Sequence, residues 1–166
     1  MKNNILAIIP AAGTGERFNS LIPKQYSKLN GRTIIEQTIS TFLSSELISK
    51  IIITINKDDN FIKEQDFFND PKIELIQGGL TRAESVMNAL SSIELNNYDY
   101  VLTHDVARPN IEVDDIKQII ENIVNNNSDC SFFYTPVRDS IKQVSRASDA
   151  TMNKDNYYLV QTPQIC

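Results

Sequence analysis

Features of secretion and of membrane insertion are both scarce in this sequence. Its 166 residues include two cysteines, Cys130 and Cys166, which do not make a disulfide framework. This usage is typical of a protein in the reducing cytoplasm. No apolar run is long enough to cross a bilayer, and the N-terminus lacks the small-residue cleavage site of a secretory signal. Neither secretion nor a membrane partner is therefore predicted.

Positive charge is also in short supply. Lysine and arginine number 16 against 21 aspartate and glutamate residues, which gives a formal net charge of −5 at pH 7. Such a balance gives a nucleic-acid backbone little general attraction, so nucleic acid is not an expected partner. Basic side chains can still converge locally on a small anion. The single histidine, His104, is interpreted as structural, since the sequence shows no catalytic dyad.

Continuous apolar runs alternate with helical patterns along the chain. The runs lack polar alternation, which is typical of parallel strands covered on both faces. They are Ile5–Ile9, Ile51–Ile55, Tyr100–Thr103 and Cys130–Thr135, with a further short strand at Lys72–Leu75. Apolar residues at helical spacing predict helices around residues 34–43, 83–93 and 113–123, and Thr81 and Glu84 have capping-box spacing before the second helix. Strand alternating with helix predicts an α/β doubly wound domain with right-handed crossovers.

The pattern changes at about Val137. Polar residues become frequent, the helical period is weak, and β-branched side chains stand at Ile141 and Val144. We predict an extended arm or hairpin over about residues 137–156, which leaves the sheet and returns through a strand at Tyr157–Val160. The sequence contains no repeat and no convincing linker, so residues 1–166 are predicted to form a single domain.

Four polar clusters follow predicted strands. Ligands of an open α/β sheet bind at the carboxyl ends of its strands, so these clusters are expected to converge on one site. They are "AAGTGER" after the first strand, "GGLTRAES" after the short strand, "HDVARP" at His104–Pro109 and "TPVRDS" at Thr135–Ser140.

The first cluster differs from two familiar phosphate-binding loops. It lacks the Gly-Lys-Ser/Thr of a P-loop. It contains Gly13 and Gly15, but Phe18 stands where the dinucleotide fingerprint needs glycine or alanine, and Asn56 after the second strand is not acidic. A dinucleotide-dependent oxidoreductase therefore remains only as an alternative, which the absence of NADH quenching would exclude.

Two further motifs give the first cluster a different interpretation. "PKQY" follows it at Pro23–Tyr26, and "QTPQ" stands at Gln161–Gln164. Small residues, two glycines, Arg17 and then Pro23-Lys24 resemble the signature of the nucleoside-triphosphate transferases. With "GGLTRAES", "HDVARP", "PVRDS" and "QTPQ" added, the sequence resembles the 2-C-methyl-D-erythritol 4-phosphate cytidylyltransferase family of the non-mevalonate isoprenoid route. This resemblance implies a Rossmann-like, mostly parallel nucleotidyltransferase sheet with a protruding β-arm.

The implied reaction is attack by a sugar-alcohol phosphate oxygen on the α-phosphorus of CTP, with pyrophosphate as the leaving group. Negative charge builds up in the transition state, so positioning and cationic stabilisation are the main tasks of the protein. The attacking phosphate monoester is already ionised at neutral pH, so a general base is not needed. Mg²⁺ is the implied cofactor, bound mostly by phosphate oxygens.

The resemblance also implies roles for individual residues. Arg17 and Lys24 would hold the triphosphate and stabilise the transition state. Asp105, at the end of a buried strand, would be either an N-cap or, as we favour, a ligand for ribose and Mg²⁺. Arg108 would pair with Asp105 or steady the substrate loop, and Arg82 is left open between a functional and a surface position. The backbone of Ala11, Ala12 and Gly13 would lie against the nucleotide, Gly78, Gly79 and Ser85 would contact cytosine, and Ser140, Lys154 and Thr162 would hold the erythritol phosphate, with Lys154 as a third catalytic cation.

The arm and the C-terminus carry two further expectations. In the family the arm exchanges between subunits, so a homodimer through the arm is implied. Lys154 stands where the family usually has arginine, which keeps the charge but loses bidentate phosphate geometry. The family fold continues beyond "QTPQ", whereas this chain ends at Cys166, so we expect a truncated chain of low activity. A ribitol- or other polyol-phosphate cytidylyltransferase and an inactive CTP-binding module remain as alternatives.

Overall fold

The structure is a computed structural model that describes residues 3–13, 22–144 and 149–166. Within these residues the strands are β1 (Ile5–Pro10), β2 (Lys28–Leu29), β3 (Arg32–Thr33), β4 (Ile48–Ile55), β5 (Ile73–Gln77), β6 (Tyr100–Thr103), β7 (Ser131–Pro136), β8 (Ile141–Gln143), β9 (Ala150–Met152) and β10 (Tyr158–Ile165). The α-helices are α1 (Ile34–Ser44), α2 (Arg82–Ser91) and α3 (Val113–Asn126). None of the helices in this described part of the chain combines the length and the apolar character that a membrane span requires.

Six strands form the central sheet in the order β5-β4-β1-β6-β10-β7. β5, β4, β1 and β6 run parallel to one another, whereas β10 is antiparallel to both β6 and β7. β7 therefore runs in the direction of the parallel strands, and β10 is the reversed strand of this sheet. The mostly parallel sheet and its helices confirm the predicted α/β doubly wound fold.

β1 runs through the centre of the sheet and is buried on both faces. Ala7 and Ile9 belong to a core cluster that contains the buried side chains of α1 and α3, whereas Leu6 and Ile8 pack in a second cluster with Ala89 of α2. Full burial of an aliphatic side chain of this size stabilises the fold by about 1.5–3 kcal/mol. Two-sided burial explains why the sequence of β1 shows no polar alternation.

The start of α2 follows the predicted capping box. Thr81 Oγ1 accepts a hydrogen bond from the Glu84 backbone N at 3.1 Å, and the Glu84 carboxylate accepts one from the Thr81 backbone N at 3.3 Å. These contacts satisfy N–H groups that have no partner inside the helix. Because the loop after β5 leads directly into this cap, the amino-terminal end of α2 lies beside Gly78 and Gly79.

The predicted arm is present as a hairpin outside the main sheet. β8 and β9 pair antiparallel, from Ile141 opposite Met152 to Gln143 opposite Ala150. Residues 145–148, at the tip of the predicted arm, lie outside the described residues. The chain returns through β10, which begins about where the sequence predicts but continues to Ile165.

β7 corrects one expectation from the sequence. The apolar run at Cys130–Thr135 predicts a strand buried on both faces, but β7 is an edge strand whose last three residues are exposed. Instead of a second layer of helices, an aromatic side chain of β10 packs against aromatic residues of β7. The Tyr158 ring lies with its centroid 5.9 Å from that of Phe132 and 5.0 Å from that of Tyr134.

Candidate active site

Two loops at the carboxyl edge of the sheet pack directly against each other. The first glycine loop, residues 11–13, follows β1, and the second glycine loop, residues 78–80, follows β5. Each is joined to the end of β4 by a backbone hydrogen bond, of 2.8 Å and 2.9 Å respectively. A Cβ on Gly78 would overlap with the Ala12 Cβ and would lie 2.9 Å from Ser85 Oγ. The absence of a side chain at Gly78 therefore allows the two loops to meet.

Ser85, near the start of α2, holds the second glycine loop in place. Its side chain is 3 % exposed. The hydroxyl donates to the Thr81 carbonyl O at 2.9 Å and accepts from the Gly79 backbone N at 3.1 Å. The one donor of this hydroxyl is thus used within the chain. Ser85 shapes the loop that is predicted to read cytosine, and its direct contact with the base stays a prediction.

A 3₁₀ turn at Lys24–Tyr26, which we call the lysine turn, lies beside the first glycine loop. Lys24 is exposed, whereas Gln25 is only 6 % exposed. Gln25 Nε2 donates to the backbone O of Ala11 at 2.9 Å and to that of Gly13 at 3.3 Å. This amide keeps Lys24 next to the loop where the nucleotide is predicted. Sequence analysis missed Gln25 because a neutral side chain inside "PKQY" carries no charge signal.

Tyr26 anchors the other side of the lysine turn. Its Oη donates to Asp59 Oδ2 at 2.6 Å, and its ring lies 5.2 Å from the Phe61 ring, centroid to centroid. Burial and the hydrogen bond to the Asp59 carboxylate raise the pKa of Tyr26 well above its ordinary value. The phenol therefore stays protonated and continues to donate at neutral and alkaline pH.

Arg17, the other cation predicted to hold the triphosphate, lies outside the described residues, as do Gly15 and Phe18. The first glycine loop is described as far as Gly13, which is exposed. A Cβ on Gly13 would meet no atom of the described residues within 4 Å. Among the described residues Gly13 thus lacks the close neighbours that surround Gly78.

Asp105, which follows β6, is held between two arginines, and we call Asp105, Arg82 and Arg108 the Asp105 group. Arg82 Nε donates to Asp105 Oδ1 at 2.7 Å, and Arg108 Nε donates to Oδ2 at 3.2 Å. Arg82 lies in the first turn of α2, where the helix dipole disfavours a cation, and the carboxylate compensates for this. The Asp105 backbone N donates to Thr162 Oγ1 at 3.4 Å. The structure thus brings the predicted residues Asp105, Arg108 and Thr162 together and adds Arg82.

A pocket of about 460 Å³ opens beside the Asp105 group, and Arg108, Thr162 and His104 contribute to its lining. His104 is buried, and its Nε2 lies 3.0 Å from the Arg108 carbonyl O. Because a carbonyl can only accept, Nε2 is the protonated nitrogen of this ring. Burial lowers the pKa of His104, so the imidazole is neutral at pH 7. These contacts agree with the structural interpretation of His104.

The predicted phosphate ligands on the arm lie apart from the Asp105 group. Lys154 Nζ donates to the Arg138 backbone O at 2.9 Å, and Lys154 lines a different pocket, of about 600 Å³, together with Tyr157. Ser140 is exposed. Neither side chain forms a hydrogen bond to the Asp105 group within the described residues. The described residues thus show no contact between these arm side chains and the Asp105 group, and the action of the arm in a neighbouring subunit stays a prediction.

Comparison with known proteins assigns the family. The sequence model of "IspD: 2-C-methyl-D-erythritol 4-phosphate cytidylyltransferase" matches residues 5–166. The chain belongs to this family. IspD proteins are CTP-dependent nucleotidyltransferases, so the predicted family and reaction class are confirmed. The alternative of a dinucleotide-dependent oxidoreductase is wrong.

Individual IspD proteins resemble the chain over nearly its whole length. The 2-C-methyl-D-erythritol 4-phosphate cytidylyltransferase of Haemophilus influenzae (strain PittGG) is 39% identical over 167 residues, which covers 99% of this chain and 72% of that protein. The Vibrio atlanticus protein of the same name is 35% identical over 164 residues, with coverages of 98% and 70%. The crystal structure of Francisella tularensis IspD superposes with a TM-score of 0.78 at 36% identity, covering 98% of this chain and 71% of that one.

The single carboxylate of Asp105 fits a metal ion that arrives with a nucleotide. Within the described residues no group of three or more His, Cys, Asp or Glu side chains could form a metal cage. Asp105 offers one carboxylate, and each of its oxygens accepts from one arginine and retains a further lone pair. One carboxylate together with phosphate oxygens and water is a common ligand set for Mg²⁺. Asp105 would thus be one ligand of such an ion, with the nucleotide supplying others.

Proposed function

We propose that this chain transfers the cytidylyl group of CTP to 2-C-methyl-D-erythritol 4-phosphate, which gives 4-diphosphocytidyl-2-C-methyl-D-erythritol and pyrophosphate. The observation that carries the proposal is the packing of Gly78 against Ala12, which joins the predicted cytosine loop to the predicted phosphate loop. The Arg82–Asp105 ion pair then links the second glycine loop to the predicted sugar and substrate residues. Family membership supports both substrates, since the relatives carry this activity in their names.

The chemistry rests on cations and positioning. The second pKa of a phosphate monoester is about 6, so the attacking oxygen is ionised at neutral pH without a side-chain base. Lys24 and Arg17 stabilise the charge that develops on the phosphoryl oxygens and on the departing pyrophosphate. Arg108 and Thr162 border the pocket beside Asp105 and are proposed to hold the polyol phosphate in line with the α-phosphorus. The backbone groups of the two glycine loops hold the nucleotide.

Mg²⁺ is proposed as the cofactor. Phosphate oxygens of CTP supply most of its ligands, and Asp105 contributes a carboxylate oxygen. The ion would supply charge neutralisation at the triphosphate, in addition to that from Lys24. Because Arg82 and Arg108 already fix the Asp105 carboxylate, this ligand is oriented before the nucleotide arrives.

The functional unit is proposed to be a homodimer of single-domain chains joined through the arm, acting in the cytoplasm. Apolar side chains on and near the arm support this arrangement, because Val144 is 80 % exposed and Leu159 is 56 % exposed. A contiguous exposed apolar patch commonly marks a protein contact, and Leu159 belongs to an exposed apolar run at Tyr157–Val160. Exchange of the arm would carry Ser140 and Lys154 to the polyol phosphate bound by the partner subunit.

A pyrophosphate-release assay with CTP, Mg²⁺ and purified chain tests the proposal. Methylerythritol phosphate is expected to support release, whereas ribitol 5-phosphate should not. Release with ribitol 5-phosphate alone would replace the substrate, and calorimetric CTP binding without any turnover would favour the inactive binding module. The measured rate is compared with the ordinary turnover of enzymes, about 1–1000 per second.

A further inference from the structure

The two cysteines flank a pair of neighbouring antiparallel strands. In the ladder between β10 and β7, Gln164 pairs with Phe132 and Ile165 pairs with Ser131. One residue further along the same ladder, Cys166 stands opposite Cys130. Directly opposite residues of an antiparallel pair place their side chains on the same face of the sheet. The fold thus juxtaposes two thiols that are far apart in the sequence.

The hydrogen bonds of Cys166 define the kind of pair that it makes with Cys130. Its backbone N donates to the Val101 O at 3.0 Å, and its backbone O accepts from the Val101 N at 2.8 Å. Both polar groups therefore point towards β6 and away from β7. Cys166 and Cys130 consequently form a non-hydrogen-bonded pair, in which the Cα atoms lie about 4.5 Å apart. Disulfide bonds span Cα separations of about 4.4–6.8 Å, so this position accommodates one.

Both thiols are also close to each other and open to reagents. Ile165 is buried in the core cluster that contains α3, so the alternation of β10 turns Cys166 to the other face. Cys130 and Cys166 are both exposed free cysteines. Partial burial raises the pKa of the Cys166 thiol, and the nearby Cys130 thiol raises it further. This interaction agrees with the strand register, which places the two residues opposite each other.

We propose that Cys130 and Cys166 are a disulfide-forming modification site that joins β7 to β10 under oxidation by a low-molecular-weight disulfide. One cysteine thiolate attacks the reagent, its S–S bond breaks, and one reagent thiolate leaves with a mixed disulfide remaining on the protein. The second cysteine thiolate attacks the protein sulfur of that mixed disulfide and expels the other reagent thiolate. The two protein sulfurs lose two electrons to the reagent, and the two thiol protons end on the released thiols.

The bond would lie at the edge of the sheet remote from the candidate active site. Cys130 precedes β7, which runs parallel to β6, and Cys166 follows the reversed strand β10. Both therefore lie at the amino-terminal edge of the parallel strands, opposite the glycine loops and the Asp105 group. The closed ring would contain residues 131–165, which include both paired strands and the whole arm. Such a ring restricts the unfolded chain and stabilises the folded one.

Titration of the purified chain with glutathione redox buffers, followed by acid quenching and mass spectrometry, tests the site. The expected product is monomeric protein that has lost two hydrogens and yields a linked Cys130–Cys166 peptide. Its melting temperature should be higher by about 5–10 °C than that of the reduced protein, and dithiothreitol should reverse the change. Stable glutathione adducts on both cysteines, or disulfides only between chains, would overturn the proposal. The readout does not depend on turnover.

A one-residue shift of the thiol provides the matched control. The double substitution Cys130→Ser and Ser131→Cys moves the thiol to the adjacent position, on the opposite face and across from Ile165. This variant is expected to accumulate the glutathione adduct without forming the intramolecular bond. Equal yields of the bond in the shifted variant and in the wild type would show that chain proximity, and not the strand register, controls the reaction. Equal yields in native buffer and in denaturing urea would contradict the proposal in the same way.

Discussion

At the scale of single residues, the role of Gln25 depends on its side-chain amide being a hydrogen-bond donor. Nε2 donates to two backbone oxygens of the first glycine loop, so any group at this position must be a donor on that side. Lys24 is the neighbouring residue, and its ammonium group has no fixed partner among the described residues. The neutral side chain thus positions a charge that it does not itself carry.

Substitution Gln25→Glu is expected to lower kcat/KM about 10- to 100-fold at mildly alkaline pH, because an ionised carboxylate would face the carbonyl oxygens of Ala11 and Gly13. Burial and these oxygens favour the protonated form and raise the pKa of the introduced group. As the pH falls through that raised pKa, the neutral carboxyl regains a donor and the ratio of variant to wild-type kcat/KM should rise. The pH profile of this ratio is the measurement.

The chain offers a matched control for this substitution. Gln37 Nε2 also donates to two backbone oxygens, those of Leu29 and Arg32, but at an exposed turn outside the candidate site. Gln37→Glu should leave kcat/KM within about twofold of the wild type, as surface changes usually do. Equal losses in both variants, or a flat ratio against pH for Gln25→Glu, would show that the amide does not position the nucleotide loop.

Lys24→Ala is expected to reduce kcat about 100- to 1000-fold with little change in melting temperature. The side chain is exposed, so its removal should cost the fold little. Lys28→Ala, which removes another exposed lysine from the same segment, serves as the control and should retain activity. Steady-state kinetics and a thermal melt on the same samples separate the two effects. A large loss of stability would instead indicate a structural role for Lys24.

At the scale of elements, the sequence predicts what local pattern and burial determine. Ile5–Ile9 predicts β1 because both faces of that strand are buried, and Thr81 with Glu84 predicts the start of α2 because the cap is local. The hairpin of β2 and β3 was not predicted from the sequence. Asn30 and Gly31 connect its two strands and both have positive φ, as in the two-residue turn that an Asn-Gly pair favours. Such short strands carry too few residues for a periodic signal.

Features that depend on distant contacts were less accessible from the sequence. β10 extends through "QTPQ" to Ile165 because its last residues pair with β6. The polar residues of that motif do not by themselves indicate a strand. The Arg82–Asp105 pair joins two loops that meet only in the folded chain. The family resemblance pointed to Asp105, Arg108 and Thr162, whereas Gln25 required the coordinates of the loop it supports.

Replacement of glycine by alanine is expected to affect stability differently in the two glycine loops. Gly78→Ala is expected to destabilise the fold by about 1–3 kcal/mol, because its Cβ would overlap with Ala12 and approach Ser85. Gly13→Ala meets no described atom within 4 Å, so it should leave the melting temperature nearly unchanged and weaken CTP binding instead. Thermal melts and calorimetry with CTP and Mg²⁺ measure the two effects. A stable Gly78→Ala protein would contradict the close contact between the loops.

At the scale of the whole molecule, the open question is which chain's Lys154 serves a given site. In the single chain Lys154 bonds to Arg138 and lines a pocket away from the Asp105 group. In a two-fold dimer with exchanged arms, each site would combine Lys24 of one chain with Lys154 of the other. That arrangement and a purely intrachain site make different predictions for mixed dimers.

Mixing the inactive variants Lys24→Ala and Lys154→Ala, after mild dissociation and reassociation, is therefore expected to restore activity. If the arms exchange, each heterodimer holds one site with both lysines intact and one with neither. Heterodimers make up half of a random mixture, so about a quarter of all sites should recover the wild-type turnover. A mixture of Lys24→Ala with Gln25→Glu is the control, because both changes affect the same chain's site and neither arrangement repairs it. No recovery in the first mixture, with heterodimers verified by differential tags, would mean that Lys154 acts only within its own chain or not at the site.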